Sequence, residues 1–321
     1  MNFDTHFIKE KTLQKLRQYF IDNNFHEVET PTLQEQIPME PNLYPLKTIW
    51  QQKNRDYYLA ISPESALKKL IAQEIGNCFA VSKVFRDLED VGPTHNLEFS
   101  MLEWYEMDKN YLDIIARCEK LFSKIVPSNI IEYQGHKIDL SPPWPRATLQ
   151  ELFEKYAHMD LSANLTTENI IKTAAAKGYN VSGVTTWEPL YTQIFINEIE
   201  SKLPTDRPFV IMDYPTIISP LCKPCNNNPN YTQRFEFYIG GMEIGNGDTE
   251  LTNSQLLNQN FIRETKFRQE NQLPTHPYDQ ELVNAVANMP PCAGIGIGID
   301  RIAMLLANTS DIKDVIYFPT R

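Results

Sequence analysis

The run Arg234-Phe-Glu-Phe-Tyr-Ile-Gly-Gly-Met-Glu-Ile-Gly245 holds two carboxylates at a spacing that invites a cation. With Gly240-Gly241 as a two-residue turn, the flanks form a hairpin in which Ile239 opposes Met242, Tyr238 opposes Glu243 and Glu236 opposes Gly245. Glu236 and Glu243 then share one face as diagonal neighbours, roughly 7–8 Å apart at the backbone. Two carboxylates so placed repel unless a cation joins them, and such an oxygen pair suits Mg²⁺ held on nucleotide phosphates. A solvated acidic face is the alternative.

A second constellation is Gly294-Ile-Gly-Ile-Gly-Ile-Asp300-Arg301. Side chains alternate across a strand, so one face is bare while the other buries three isoleucines. A bare face makes sense if something flat lies on it, or if a neighbouring element packs tightly there. Arg301 begins a helix beside that face, where a guanidinium can stack on a base or meet a phosphate. The third glycine comes one residue too early for the dinucleotide fingerprint, and no Walker A segment occurs.

A third constellation is Asn96 to Tyr105, whose alternation puts Phe99, Met101, Glu103 and Tyr105 on one face. A carboxylate among apolar neighbours needs a cationic partner, supplied by a ligand or by an internal Lys or Arg. Arg86 ends the partner strand, where a phosphate can be met. Glu64 stands at the second position of a predicted helix, as a ligand or as a complement to the helix dipole. No serine, cysteine or histidine arrangement for covalent catalysis is present. An arginine pair, a carboxylate pair and a glycine floor are what nucleotidyl transfer requires.

The elements that position these groups follow from periodicity. Helices are expected over 9–23, from Ser62 with Pro63 in its first position, and near 110–125, 148–157, 167–177, 187–202, 253–271, 279–288 and 301–307. Thr148 and Glu151 form a capping box. Strands are expected over Phe25–Thr30, Cys78–Arg86, Asn96–Tyr105, Arg207–Asp213, the 234–244 hairpin and 292–299. Clustered strands with hairpin connections predict an α+β fold with an antiparallel β-sheet flanked by helices.

Composition sets the bounds. The chain has 321 residues, 42% hydrophobic and 22% charged, with a net charge of -11. A wide nucleic-acid face normally carries a basic excess, so the acidic balance makes tRNA binding an unfavoured expectation while leaving room for a local basic patch. The stretch Met1-Asn2-Phe3-Asp4 lacks the basic start and apolar run of a signal peptide, and no apolar run approaches the ~20 residues that span a bilayer, so no membrane role is expected. Five scattered cysteines predict reduced thiols and a cytoplasmic protein. Cys222-Lys-Pro-Cys225 is a lone C-x-x-C, read as a loop with two thiols rather than a metal or redox pair.

Three segments in order resemble the signature motifs of class II aminoacyl-tRNA synthetases. They are the helix leading into Phe25-His-Glu-Val-Glu-Thr-Pro31, Phe85-Arg86 with Glu89 and His95-Asn-Leu-Glu-Phe99, and Gly294-x-Gly-x-Gly-x-Asp-Arg301. Within the class, Ser62-Pro-Glu64, Met101-Leu-Glu-Trp-Tyr105, Arg234-Phe-Glu-Phe and Glu243-Ile-Gly-Asn246 to Glu250 are similar to lysyl-tRNA synthetase. The resemblance implies the class II catalytic fold over 1–321 as a single domain, with a helical insertion at about 140–206 and a homodimer through the first motif. It also implies ATP with Mg²⁺ as cofactors, and an adenylate formed from a small cationic amino acid with release of pyrophosphate.

By the same resemblance, Arg86 and Arg301 are the catalytic pair on the α- and γ-phosphates, and Phe99 and Arg301 sandwich adenine. Glu89 and His95 belong to the ATP loop, Gly298 to the ATP floor, and Glu236 and Glu243 hold Mg²⁺. Glu64 and Asn246 orient the amino-acid head, with Gly296 beneath the substrate, while Glu103, Tyr105 and Glu250 receive the side-chain amine. In-line attack by the substrate carboxylate needs no enzyme nucleophile, and correct placement contributes ~7–11 kcal/mol towards such a barrier.

The first motif begins almost at Met1, which leads to the expectation of no anticodon-binding barrel. That organisation, Met101-Leu-Glu-Trp-Tyr105 and Leu273-Pro-Thr-His-Pro-Tyr-Asp-Gln280 resemble the elongation factor P–lysine ligases, which place (R)-β-lysine on a lysine of that factor. The leading expectation is therefore activation of lysine or (R)-β-lysine and transfer to elongation factor P. The alternatives are a lysyl-tRNA synthetase-like enzyme acting on tRNA or another acceptor, and a non-catalytic amino-acid-sensing paralogue. Two departures bear on specificity: Gly296 stands where these ligases tend to carry alanine, and Asp248 where both groups place an aromatic residue along the lysine chain. Asp248 either receives a second ammonium, shifts specificity, or faces solvent.

Overall fold

The computed structural model describes residues 3–88 and 92–320. Its centre is an eight-stranded sheet with strand order His26–Glu27, Cys78–Phe85, Glu98–Met107, Cys292–Gly298, Met242–Thr249, Tyr231–Ile239, Phe209–Pro215 and Arg146–Thr148. The inner pairings are antiparallel, as expected, while both outermost strands run parallel to their neighbours. The strand expected over Phe25–Thr30 shrinks to His26–Glu27, because Pro31 and the exposed edge leave little to pair with.

One face of the sheet is the main core. Leu102, Trp104, Phe235, Phe237, Ile295 and Ile297 point into it and meet the helices Phe3–Asp22, Tyr111–Ile125 and Ile299–Leu306. The three isoleucines of the glycine strand thus bury as the alternation predicts. Asp300 ties this layer to an inner strand of the sheet: Ser100 N–H donates to its Oδ2 at 2.6 Å, and Lys9 from the first helix forms an ion pair with its Oδ1.

The opposite face is flanked by two smaller apolar clusters. At one end, Leu67, Ile71, Phe261 and Leu282 bring the helices Glu64–Ile71, Ser254–Glu270 and Gln280–Val286 together. At the other, residues 149–203 pack on Ile211, Tyr214, Tyr231 and Tyr238. The Thr148–Glu151 capping box forms, but the helix it opens runs only Leu149–Leu152 before a π turn over Phe153–Ala157. The helix expected at 187–202 is likewise divided, into Glu188–Ile194, a π turn Phe195–Ile199 and a 3₁₀ turn Glu200–Lys202. The helix expected from Ser62 starts at Glu64, with Pro63 as its cap, so Glu64 is its first residue.

The hairpin departs from expectation in one decisive respect. Ile239 pairs with Met242 and Tyr238 with Glu243, as predicted, but Phe237 then pairs with Gly245 and Glu236 with Asn246. Ile244 is an extra residue, a β-bulge. It is buried beside Gly245 because the core under Phe237 accepts both.

Candidate functional site

The gap between the two smaller clusters is a cavity of about 1190 Å³ on the sheet face away from the main core. Its walls include Glu64, Arg86, His95, Phe99, Glu103, Tyr105, Glu236, Glu243, Asn246, Asp248, Glu250, Gly296, Gly298 and Arg301. Every sequence-predicted site residue among the described residues thus meets in one pocket. Glu89 lies outside the described residues.

Strand pairing explains the convergence. Directly paired residues share a face, so one row runs Glu103, Gly296, Asn246, Glu236 and the next runs Tyr105, Gly294, Asp248, Arg234. The bulge is what lets Glu243 join them. In a regular strand residues three apart point to opposite faces, and Glu243 would be turned away from Asn246, Asp248 and Glu250.

At the end that holds the two arginines, the Arg86 guanidinium stands 5.2 Å over the Phe99 ring, and its Nε donates to Ile61 O at 3.3 Å. Arg301 lies opposite. Its Nη1 donates to Glu243 O at 2.8 Å and stands 3.5 Å from the Glu243 carboxylate. Its Nη2 is 3.0 Å from His95 Nε2, which must accept, because a guanidinium only donates. Glu236 takes Arg234 Nη2 on Oε1 at 2.7 Å and the hydroxyls of Tyr214 and Tyr238 on Oε2 at 2.7 and 2.8 Å. These donors hold it in one orientation while Oε1 keeps a lone pair. Burial and then Glu236 raise the Glu243 carboxyl above the ordinary range, with Arg301 and Arg234 opposing the rise. Hard oxygen donors with spare lone pairs fit Mg²⁺ that completes its shell on phosphates.

The other end is more acidic. Tyr105 O–H donates to Glu103 Oε1 at 2.6 Å. Burial, then Glu64, raises the Glu103 carboxyl to about 8. Lys68, only 2% exposed, forms ion pairs with Glu64 and, at 2.5 Å, with Glu250 Oε2, and its ammonium is 5.9 Å from the Tyr105 ring centre. The internal cation considered for Glu103 therefore exists but is engaged by Glu64 and Glu250. Glu64 is a partner of this lysine rather than a bare complement to its helix dipole. Glu40 enters from the 37–44 loop, and burial with Glu64 nearby raises it to about 8. Asp248 faces the pocket, not open solvent: its Oδ1 is shut from water and makes no hydrogen bond. Cys222 lines the same wall, and Cys225 Sγ reaches Asp213 Oδ1 at 3.8 Å.

Several of these residues escaped sequence reasoning. Lys68 sits in Leu67-Lys-Lys69, which reads as a solvated helix face, and only its position one turn after Glu64 hints at a pair. Arg234, in the hairpin motif, carried no assigned role, yet it anchors both Glu236 and, through Nε at 3.1 Å, Asn246 Oδ1. Glu188, Tyr191 and Glu200 reach the cavity from the divided helix and left no local signal.

The family model for class II tRNA synthetases (D, K and N) matches residues 4–321. The lysine–tRNA ligase of Pelotomaculum thermopropionicum is 35% identical over 318 residues, covering 97% of this chain and 62% of that protein. Those of Pectobacterium carotovorum subsp. carotovorum and Syntrophomonas wolfei subsp. wolfei are 35% and 33% identical, covering 98% of this chain and 63% and 64% of theirs. The chain thus spans less than two thirds of the curated relatives it matches. Among the described residues no helix is long and apolar enough to cross a membrane. With the match running from the first helix to the last turn, the chain belongs to the class II tRNA synthetases of the D, K and N group.

Proposed function

We propose that the chain is an ATP-dependent ligase that activates lysine or (R)-β-lysine as its adenylate and passes the acyl group to a lysine side chain of elongation factor P. The observation that carries the activation step is the single cavity joining Arg86 and Arg301 to Glu103 and Glu250, with Glu64 and Asn246 also on its walls. Arg86 and Arg301 bind the triphosphate and stabilise the charge that develops at the α-phosphorus. Glu236 and Glu243 hold Mg²⁺, which supplies neutralisation of the phosphates. Glu64 and Asn246 orient the amino-acid head, and Glu103, Tyr105 and Glu250 receive the side-chain amine over the floor made by Gly296 and Gly298. His95 and Phe99 complete the nucleotide side, with Glu89 assigned to the same loop.

The acceptor is supported by the similarity of Met101–Tyr105 and 273–280 to elongation factor P ligases and by the acidic balance. The named relatives favour a second reading, in which lysine tRNA is the acceptor. In either case the enzyme is proposed to work in the cytoplasm as a homodimer through the Phe3–Asp22 helix, its single catalytic domain carrying 140–206 as a helical insertion. The test is a purified mixture of the chain, ATP, Mg²⁺ and labelled lysine or (R)-β-lysine with elongation factor P or lysine tRNA. Label on the factor supports the proposal, and label on tRNA alone replaces the acceptor. Absence of ATP–pyrophosphate exchange with every basic amino acid rejects the activation step and favours an amino-acid sensor.

A further inference from the structure

Along one face of the Met242–Thr249 strand and its continuation, Asn246, Asp248 and Glu250 follow one another at alternate positions. Glu250 N–H donates to Cys292 O at 3.0 Å, so the ladder extends that far. Asn246 belongs to the row of Glu236 and Gly296. Glu250 belongs to the Lys68 ion-pair cluster at the far end. At roughly 3.3 Å per residue, Asp248 lies about 6.6 Å along the strand from each. It therefore flanks the middle of any chain stretched from the head position to the far end.

The two cations nearest Asp248 are engaged elsewhere. Arg234, its partner across the strand, sends Nη2 to Glu236 at 2.7 Å, Nη1 to Ile218 O at 2.8 Å and Ser219 Oγ at 3.2 Å, and Nε to Asn246 at 3.1 Å. Lys68 is held between Glu64 and Glu250. On the other side is Gly294, whose vacant side-chain space is filled by the Tyr105 ring, and that hydroxyl goes to Glu103. The Cys222 thiol beside Asp248 is a weak donor. Asp248 Oδ1 is shut from solvent and makes no hydrogen bond with another residue. Burial, offset by Lys68, raises this carboxyl to about 6, so it remains mostly charged at neutral pH. A charged oxygen pressed against bare methylenes is strongly unfavourable, whereas a donor at that point satisfies it.

We propose that Asp248 makes this pocket selective for a basic amino acid with a hydrogen-bond-donating group midway along its side chain, over one whose sole side-chain donor is terminal. The inference rests on the reading that the pocket activates an amino acid, and it narrows the substrate class. The shared chemistry has two sources: a shorter diamino acid whose amine stops at Asp248, or a full-length chain with an added mid-chain amine or hydroxyl.

The experiment is ATP–pyrophosphate exchange by the wild-type chain and Asp248→Asn with lysine, ornithine, 2,4-diaminobutyrate and 4-hydroxylysine. The wild type is expected to use at least one mid-chain donor with kcat/KM at least ~10-fold above lysine, and Asp248→Asn to remove that advantage. Success with the short diamines identifies chain length as the source, and success with 4-hydroxylysine alone identifies the added donor. Wild-type preference for lysine overturns the inference and leaves the activation reading intact. Exchange with none of the basic amino acids overturns both.

Discussion

The ring of Tyr105 occupies the volume that a side chain at Gly294 would need: a Cβ there falls 2.4 Å from Tyr105 Cε1 and 2.8 Å from Trp104 O. The glycine strand is therefore not uniformly bare. At Gly294 it is packed tightly, which was one of the alternatives for this motif, while Gly296 and Gly298 line the cavity floor. Gly294→Ala is expected to displace Tyr105, lower stability by about 1–3 kcal/mol and raise the amino-acid KM. Gly296→Ala meets only the flexible Met101 side chain, at 3.3 Å from Sδ, and Glu103 Oε2 at 3.6 Å. It is expected to melt near wild type while changing the ratio of lysine to (R)-β-lysine activation. Parallel melting and exchange assays check both, and equal melting of the two variants would contradict the contrast.

Lys68 is the internal counter-ion of the acidic end. Lys68→Met leaves Glu64 and Glu250 buried without a cation, a change expected to cost about 3–5 kcal/mol in denaturant unfolding. A loss below about 1 kcal/mol, the size seen for surface pairs, would show that solvent reaches this pair.

Glu40 and Glu103 make the free protein's stability depend on pH. Each is protonated in the folded state up to about 8, against 4.5 as the ordinary value. Between these values the folded chain holds more protons than the unfolded one, so stability falls as pH rises through that window. A bound ammonium favours the ionised acids, so the rise in Tm caused by lysine should grow from about pH 6 to about pH 9. Thermal melts with and without lysine measure it. A constant or shrinking increment, or an unchanged pH slope in Glu103→Gln, would refute the assignment.

Arg301→Ala and Arg86→Ala separate the two ends of the cavity. Each is expected to lower ATP–pyrophosphate exchange by about 10²–10³. Stabilisation by lysine in the absence of ATP should persist in Arg301→Ala, since the Arg301 guanidinium is held by Thr94 O, Glu243 O and His95. Loss of the lysine effect together with exchange would mean that the ends are not independent.

Much of this architecture was legible because it obeys period two. Phe99, Met101, Glu103 and Tyr105 alternate with Leu102 and Trp104 of the main core, and Gly294, Gly296 and Gly298 alternate with isoleucines, so both faces follow from the residue types. What stayed hidden breaks a period or depends on distant chain. The Ile244 bulge leaves no mark in composition, since both Ile244 and Gly245 suit the core. The π turns at Phe153–Ala157 and Phe195–Ile199 interrupt segments that look continuously helical. The Leu33–Gln34, Lys47–Trp50 and Arg55–Leu59 sheet lies in a stretch without clean alternation. Glu40 and Lys68 gain their meaning from residues far along the chain.

The extra residue at Ile244 has a consequence for how this segment can diverge. Deleting it would invert everything that follows in the strand, sending Asn246, Asp248 and Glu250 towards Phe235 and Phe237 and turning Gly245 and Gly247 to the cavity. A substitution at one of these positions keeps the strand's facing, whereas loss of a single codon would turn all three side chains out of the cavity while leaving every one of them in the gene.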